Sequence, residues 1–187
     1  MKFIIRLFSA LILTFSYIEL AYSKTTKIII FGDSLIAGYG LVVEDNFVNQ
    51  LKLKTIENKI NDVTLFNSGV SGETSTGLLN RYKWVLEDNY DGVIILIGAN
   101  DALRGIDPSL TSQNIEKILS YLKEKQIPTM LIGMKAPNNL GEIYVNEFNT
   151  IYPKLSKKYD TAYYPFFLKD VALKPSLNQR DMIHPNK

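Results

Sequence analysis

The sequence contains no cysteine and only one histidine, His184. Without cysteine the chain can form no disulfide, no thiolate nucleophile and no cysteine-based zinc or iron–sulfur site. A single histidine also excludes a metal site built from several histidine ligands, so we expect no metal. If the chain uses an imidazole as a general base, that imidazole must belong to His184.

The chain also lacks an excess of either charge. It has 21 Lys and Arg against 19 Asp and Glu among 187 residues. Leaving out Lys2, Arg6 and Glu19, which lie in the N-terminal segment, gives 19 basic against 18 acidic residues. Because binding to nucleic acid phosphates needs a clustered basic face, this near-neutral balance argues against a nucleic acid partner.

The one long apolar run lies near the N-terminus. Leu7–Ile18 follows two basic residues, and the small residues of Ala21-Tyr22-Ser23 occupy the positions that a signal peptidase reads. We interpret residues 1–23 as a signal peptide cleaved after Ser23, and we expect a periplasmic or secreted protein with no stable membrane insertion after cleavage. An uncleaved anchor is the alternative, but the run is shorter than the roughly 20 residues of a spanning helix and Glu19 follows it.

The rest of the chain alternates short apolar runs with segments of helical period. The runs are apolar almost throughout, which favours strands covered on both faces, as in a parallel sheet. We therefore predict one α/β domain over residues 24–187, an open, doubly wound and mainly parallel five-stranded sheet flanked by helices. The predicted strands are Lys27–Phe31, Val63–Phe66, Val93–Ile97, Thr129–Ile132 and Ala162–Tyr164.

Polar clusters follow the first three predicted strands. They are Gly32–Leu35, Asn67–Glu73 and Gly98–Asp101. In a parallel sheet these clusters lie at the carboxyl edge, which is where open α/β sheets bind their ligands. The sequence therefore places a candidate site at this edge.

Each side chain in these clusters also has an ordinary structural explanation. Either Asp33 or Ser34 can cap the following helix. Gly72 and Asn100 are typical turn residues, and His184 can be a solvated surface residue near the end of the chain. Taken one at a time, none of these residues indicates chemistry.

Taken together, the clusters resemble a known family. The blocks FGDSLIAGYG, SGVSGETS, GAND and DMIHPN are similar, in order, to the four sequence blocks of the SGNH (GDSL) hydrolases. The stretches IYPKLSKKYD and PFFLKDVALKP resemble the secreted bacterial thioesterase I, lysophospholipase and arylesterase subgroup. The resemblance spans essentially the whole mature chain. It implies a three-layer, flavodoxin-like SGNH fold and a serine hydrolase that needs no cofactor.

The resemblance also implies a role for each site residue. Ser34 is the nucleophile, His184 the general base and Asp181 the group that orients it. The backbone N–H groups of Ser34 and Gly72 and the side-chain amide of Asn100 form the oxyanion hole. Gly72 acts through its backbone, where a side chain could block the substrate. The expected reaction cleaves carboxylic esters or thioesters through an acyl-enzyme, on acyl or aryl esters, acyl-CoA or lysophospholipids.

The spacing of the last block agrees with this assignment. Pro185 disfavours helical geometry at His184, so the histidine is expected on an extended or turn-like loop. Asp181, three residues earlier, can then fold back onto Nδ1 and leave Nε2 free to face Ser34.

Substrate contacts are less defined by sequence. We expect apolar contacts to a fatty acyl or aryl group after the fourth and fifth strands, and packing in the core is an equal alternative for each of them. The candidates are Leu140, Ile143, Phe167, Leu168 and Val171.

Two further expectations concern the extent of the chain and its assembly. Family members continue past the HPN segment with a further helix, and we expect this domain to lack it. We favour a monomer.

Two other functions stay open at this point. One is a non-catalytic flavodoxin-like module that binds a lipid or carbohydrate. The other is a carbohydrate O-deacetylase.

Overall fold

A computed structural model describes residues 25–187. The predicted signal peptide lies outside the described residues. Among the described residues, a single parallel sheet of five strands forms the centre, in the order β2-β1-β3-β4-β5. The strands are β1 (Thr26–Gly32), β2 (Val63–Gly69), β3 (Gly92–Leu96), β4 (Thr129–Ile132) and β5 (Ala162–Tyr164). All five predicted strands are confirmed, with ends that differ by three residues or fewer.

The inner strands are buried because their side chains are apolar on both faces. In β1, Ile29, Ile30 and Phe31 are at most 1% exposed, and Ile95 and Leu96 of β3 are fully buried. The register pairs Ile30 with Ile94, and Ile94 with Met130 of β4. Continuous β-branched runs therefore become the central strands of a covered parallel sheet, as the sequence predicted.

Within residues 25–187, six α-helices connect and flank the strands. Their bounds are α1 (Ser34–Ala37), α2 (Phe47–Glu57), α3 (Ser75–Val85), α4 (Ala99–Leu103), α5 (Pro108–Glu124) and α6 (Glu142–Tyr159). Because crossovers between parallel strands are right-handed, the strand order puts α2 on one face of the sheet and α3, α5 and α6 on the other. The predicted α/β fold with flanking helices is confirmed.

Helix α5 packs through apolar residues that recur at helical spacing. On α5, Ile115, Ile118, Leu119 and Leu122 repeat at helical spacing, and each is at most 1% exposed. Asp107 caps the start of this helix by accepting a hydrogen bond from the Ser109 N–H. The apolar stripe of the helix therefore faces the sheet and its neighbours.

The part of the chain after β5 contains no α-helix among the described residues, only a short 3-10 turn, Pro175–Leu177. This segment returns to the carboxyl edge of the sheet, where His184 lies. No helix within residues 25–187 is long and apolar enough to cross a membrane. The expectations about the final helix of the family and about a monomer stay predictions.

Candidate active site

Three loops converge at the carboxyl edge of the sheet. Ser34 follows β1, Gly72 lies in the loop after β2, and Asn100 lies in the first turn of α4, just after β3. Because β1 lies between β2 and β3, the three loops are neighbours. The predicted convergence of the polar clusters at one edge is confirmed.

Ser34 begins the short helix α1, but it does not cap that helix. The cap is Asp33, whose Oδ1 accepts a hydrogen bond from the Leu35 N–H at 3.0 Å. The Ser34 hydroxyl is therefore free for a longer-range contact, and the choice between Asp33 and Ser34 as the cap is settled in favour of Asp33.

A chain of hydrogen bonds joins Ser34 to the C-terminal segment. Ser34 Oγ lies 2.8 Å from Nε2 of His184, across 150 residues of sequence. On the other side of the ring, Nδ1 lies 2.7 Å from Oδ2 of Asp181. A carboxylate can only accept, so Nδ1 carries the proton and Nε2 accepts from the serine hydroxyl. This is the arrangement that lets an imidazole remove a serine proton.

Asp181 is held in its ionised form by several donors. Its pKa is lowered from 3.8 to about 2, first by the hydrogen bond from the His184 ring and then by the backbone N–H groups of His184 and Ile183. Oδ1 accepts from both N–H groups at 3.1 Å. The same carboxylate therefore orients the ring and closes the turn that carries it, on a bend followed by Pro185.

The loops at this edge of the sheet carry potential donors to an oxyanion. Within residues 25–187, the backbone N–H groups of Ser34 and Gly72 have no hydrogen-bond acceptor in the chain, so both can donate to a ligand. Asn100 donates from Nδ2 to the Glu73 carbonyl oxygen at 3.0 Å, which leaves its second amide hydrogen available. The backbone of Gly72 has a φ of +79°, a conformation that favours glycine.

An ion pair behind the Gly72 loop fixes its shape. Nε and Nη2 of Arg81 donate to the two carboxylate oxygens of Glu73 at 2.6 and 2.7 Å. Nη1 and Nη2 also donate to the side chain and backbone oxygen of Ser68 at 2.7 Å. Glu73 is only 8% exposed, so this two-pronged pair is shielded from water. Nothing in the spacing of Glu73 and Arg81 had indicated it.

A buried network supports the Asn100 loop in the same way. Asp101 is fully buried and accepts hydrogen bonds from the N–H and hydroxyl of Ser75 at 2.8 and 2.5 Å, and from the Thr111 hydroxyl at 3.1 Å. Asn114 donates to the Ser75 hydroxyl at 3.0 Å. The network joins α3, α4 and α5, and its acceptor Asp101 directly follows Asn100 in the chain. Asp101 belongs to the GAND block, so this block was the sequence feature that could have indicated its role.

Asp33 is unusual among the charged groups of the site because it is buried and only partly hydrogen-bonded. It is 1% exposed, and its Oδ2 has no hydrogen-bond partner among the described residues. Burial raises the pKa of this carboxyl from 3.8 to about 6; the Leu35 N–H and His184 act in the opposite direction. The negative charges of Asp101 and Glu73 add to the rise. A buried carboxyl with an elevated pKa therefore lies next to the nucleophilic candidate.

An apolar groove of about 670 Å³ opens beside Ser34 and His184. Three of the five predicted substrate-contact residues border it, namely Phe167, Leu168 and Val171. Phe47 of α2 packs edge-on against Phe167, with ring centroids 5.0 Å apart. The other two predicted contacts, Leu140 and Ile143, border a separate depression of about 400 Å³ and not this groove.

The described residues contain no group of three or more His, Asp or Glu side chains placed to hold a metal ion. What they do contain is a serine, an imidazole and a carboxylate in hydrogen-bonded sequence, with free N–H donors and an apolar groove alongside. This arrangement can carry out nucleophilic attack on a carbonyl group.

Comparison with known proteins agrees with this chemistry. Residues 30–187 match the GDSL-like Lipase/Acylhydrolase family. An arylesterase of Vibrio mimicus is 34% identical over 182 residues, which cover 97% of this chain and 90% of that protein. The thioesterase 1/protease 1/lysophospholipase L1 of Escherichia coli is 37% identical over 161 residues, covering 86% of this chain and 76% of that protein.

Solved structures show the same similarity in three dimensions. The esterase AlinE4, described as an SGNH-hydrolase family esterase, superposes with a TM-score of 0.81 at 42% identity. The superposition covers 87% of each chain.

Proposed function

Because the chain belongs to the GDSL-like lipase/acylhydrolase family and is an ester hydrolase, we propose that it works as a serine hydrolase through an acyl-enzyme on Ser34. The observation that carries the proposal is the unbroken contact series from Asp181 through His184 to Ser34, with distances of 2.7 and 2.8 Å. It combines a nucleophile, a base and an orienting group in the order that acyl transfer requires.

The first step is attack on the substrate carbonyl. Nε2 of His184 takes the proton of the Ser34 hydroxyl as Oγ forms a bond to the carbonyl carbon. The negative charge that develops on the carbonyl oxygen is stabilised by the N–H groups of Ser34 and Gly72 and by the Asn100 amide. Losing one such donor typically lowers kcat by about 10²–10³.

The second half of the reaction releases the products. The imidazolium gives its proton to the leaving alcohol or thiol, and the acyl group stays on Ser34. Water then attacks the acyl-enzyme with His184 again acting as the base, and the carboxylic acid leaves. Asp181 stays ionised throughout and compensates the charge on the ring.

The groove supports substrates with an apolar portion. Its walls include Phe47, Phe167, Leu168 and Val171, which suit an aryl or alkyl group. The relatives are named arylesterase and thioesterase/lysophospholipase. We propose that aryl and medium-chain acyl esters are good substrates, and that acyl-CoA and lysophospholipids share the site.

The N-terminal segment supports a location outside the cytoplasm. Its basic start, apolar run and small residues before position 24 fit a cleaved signal peptide. We propose a periplasmic or secreted enzyme. N-terminal sequencing of the protein recovered from the periplasm or medium should then begin at Lys24, whereas an intact N-terminus would contradict the proposal.

The mechanism is tested by covalent labelling and turnover in parallel. A fluorophosphonate probe should label the wild-type protein, and the folded Ser34→Ala variant should neither label nor hydrolyse p-nitrophenyl esters. Ser120→Ala, at an exposed position of α5, is the matched control and should behave as wild type. Labelling that survives Ser34→Ala would refute the assigned nucleophile.

A further inference from the structure

The segment that carries His184 has no regular secondary structure and depends on a few hydrogen bonds for its shape. The Gln179 N–H donates to the His184 carbonyl oxygen at 2.7 Å, and the Asn186 N–H donates to that of Leu177 at 3.0 Å. A bridge between Asn178 and Pro185 closes the loop. These contacts shape the loop internally but do not fix it to the serine.

One side chain connects this loop to the segment that follows Ser34. Nε2 of Gln179 donates to the Tyr39 carbonyl oxygen at 2.7 Å, across 140 residues of sequence. The same nitrogen donates to the Pro185 carbonyl oxygen at 2.9 Å, directly after His184. The two amide hydrogens of one group therefore bind both sides of the catalytic contact.

The surroundings are shaped to admit this side chain. Gly40 has a φ of +74°, and a Cβ at that position would come within 2.1 Å of Oε1 of Gln179. The ring of Tyr39, whose carbonyl oxygen accepts from Gln179, packs on the His184 ring with centroids 4.6 Å apart. Glycine at position 40 thus leaves space for the Gln179 carboxamide.

A second contact between the two segments is weaker. Lys187 and Asp45 approach to 3.7 Å, but the lysine side chain is 78% exposed, so water and salt screen the pair. The Gln179 amide is half-buried and makes two short hydrogen bonds. Among these groups it is the better candidate for holding the loop in place.

We propose that Gln179 is a positioning residue, whose side-chain amide holds the His184 loop against the Ser34 segment so that the serine–histidine contact is preformed. This inference rests on the proposed function, since it assigns a role within the same site. Gln179 does not border the groove. Its loss should therefore lower kcat and leave KM nearly unchanged. A displacement of about 1 Å at such a contact can reduce turnover by about 10²-fold.

The direct test replaces Gln179 with methionine, which keeps its length and removes both donors. We expect kcat to fall by about 10- to 100-fold and the rate of fluorophosphonate labelling to fall in parallel, with KM within about twofold of wild type. The matched control is Gln113→Met, at an exposed position of α5, for which we expect wild-type values. A normal kcat for folded Gln179→Met, or a change in KM alone, would overturn the inference.

A second pair of variants decides the question if Gln179→Met does not fold. Gly40→Ala introduces a methyl group against the Gln179 amide, whereas Gly105→Ala places one at a similar positive φ of +63° with no atom within 4 Å. Both variants share the backbone strain of alanine at a positive φ. We therefore expect the kcat of Gly40→Ala to be about tenfold or more below that of Gly105→Ala. Equal effects in the two variants would overturn the inference.

The outcomes separate this inference from the proposed function. If Ser34→Ala retains full activity, the assigned nucleophile is wrong. If Ser34→Ala is inactive and Gln179→Met keeps the wild-type kcat, the hydrolase mechanism is supported and only the role of Gln179 is wrong.

Discussion

Asp33 belongs to the GDSL block, but its buried charge destabilises the folded protein. This leads to a prediction about stability. Replacing Asp33 with asparagine removes a buried charge and keeps an oxygen that can accept from the Leu35 N–H. We expect Asp33→Asn to be more stable than wild type at pH 7. The same substitution should lower kcat, because the carboxylate at position 33 attracts the positive charge that His184 acquires during turnover.

The size of the effect follows from the elevated pKa. Asp33 titrates at about 6 in the folded protein against an ordinary value of 3.8. A difference of this size corresponds to about 3 kcal/mol of destabilisation at pH 7, where the group is charged. Because the asparagine Nδ2 would be an unpaired buried donor in place of Oδ2, part of this gain is offset, and we expect Asp33→Asn to raise the free energy of unfolding by about 1–2 kcal/mol and the melting temperature by roughly 2–8 °C.

The direction of the pKa shift determines how the stability difference between the two proteins changes with pH. The folded protein binds the Asp33 proton more tightly than the unfolded chain does, so wild type regains this stability as pH falls from about 6 to 3.8. The advantage of Asp33→Asn should be full at pH 7 and should shrink below about 1 kcal/mol at pH 4. Urea unfolding of both proteins at the two pH values measures it directly.

A matched control should respond in the opposite direction. Asp107 also caps a helix, but its carboxylate is exposed and its pKa is lowered by hydrogen bonds from Ser109. Asp107→Asn should therefore lose stability at pH 7, not gain it. A loss of stability at pH 7 in Asp33→Asn, or a gain that is the same at pH 4, would refute the reasoning about the buried charge.

Three further predictions concern the groups around the serine. Asp101→Ala should reduce the free energy of unfolding by about 2–5 kcal/mol in urea titrations, because the buried donors of Ser75 and Thr111 lose their acceptor; a loss below about 1 kcal/mol would contradict this. Asp181→Ala should reduce kcat by about 10²–10⁴ and also lower the melting temperature, because the turn loses the carboxylate that closes it; a near-normal kcat would argue against its orienting role. Phe167→Ala should reduce kcat/KM for aryl and medium-chain esters about 5- to 30-fold more than for a short alkyl acetate, and equal losses would place the apolar group elsewhere.

The fold could be predicted from the sequence because its information is local. The five strands are runs of β-branched and other apolar residues, and the covering helices repeat their apolar residues at helical spacing, as Ile115 and Ile118 do. Right-handed crossovers and the carboxyl-edge rule then place Ser34, Gly72 and Asn100 at the same edge without further information. His184 could be identified because no other imidazole exists in the chain.

The groove and its supports could not be predicted in the same way. Leu140 and Phe167 both follow strands and are both apolar, yet they border different depressions, because the path of a long loop is not encoded by residue type. Gln179 was missed for a related reason. Its partners are the carbonyl oxygens of Tyr39 and Pro185, and every residue has such an oxygen, so the contact leaves no pattern in the sequence.

Asp181 and Asp33 both act on His184, but their surroundings shift their pKa values in opposite directions. Asp181 is partly exposed and receives three hydrogen bonds, so its pKa falls to about 2 and it stays charged at neutral pH. Asp33 is buried with one oxygen unpaired, so its pKa rises to about 6 and its charge is maintained at a cost in stability. An orienting group needs directional hydrogen bonds, whereas a buried charge acts over distance because little water screens it. Geometry should therefore depend on Asp181, and the stability of the imidazolium on both.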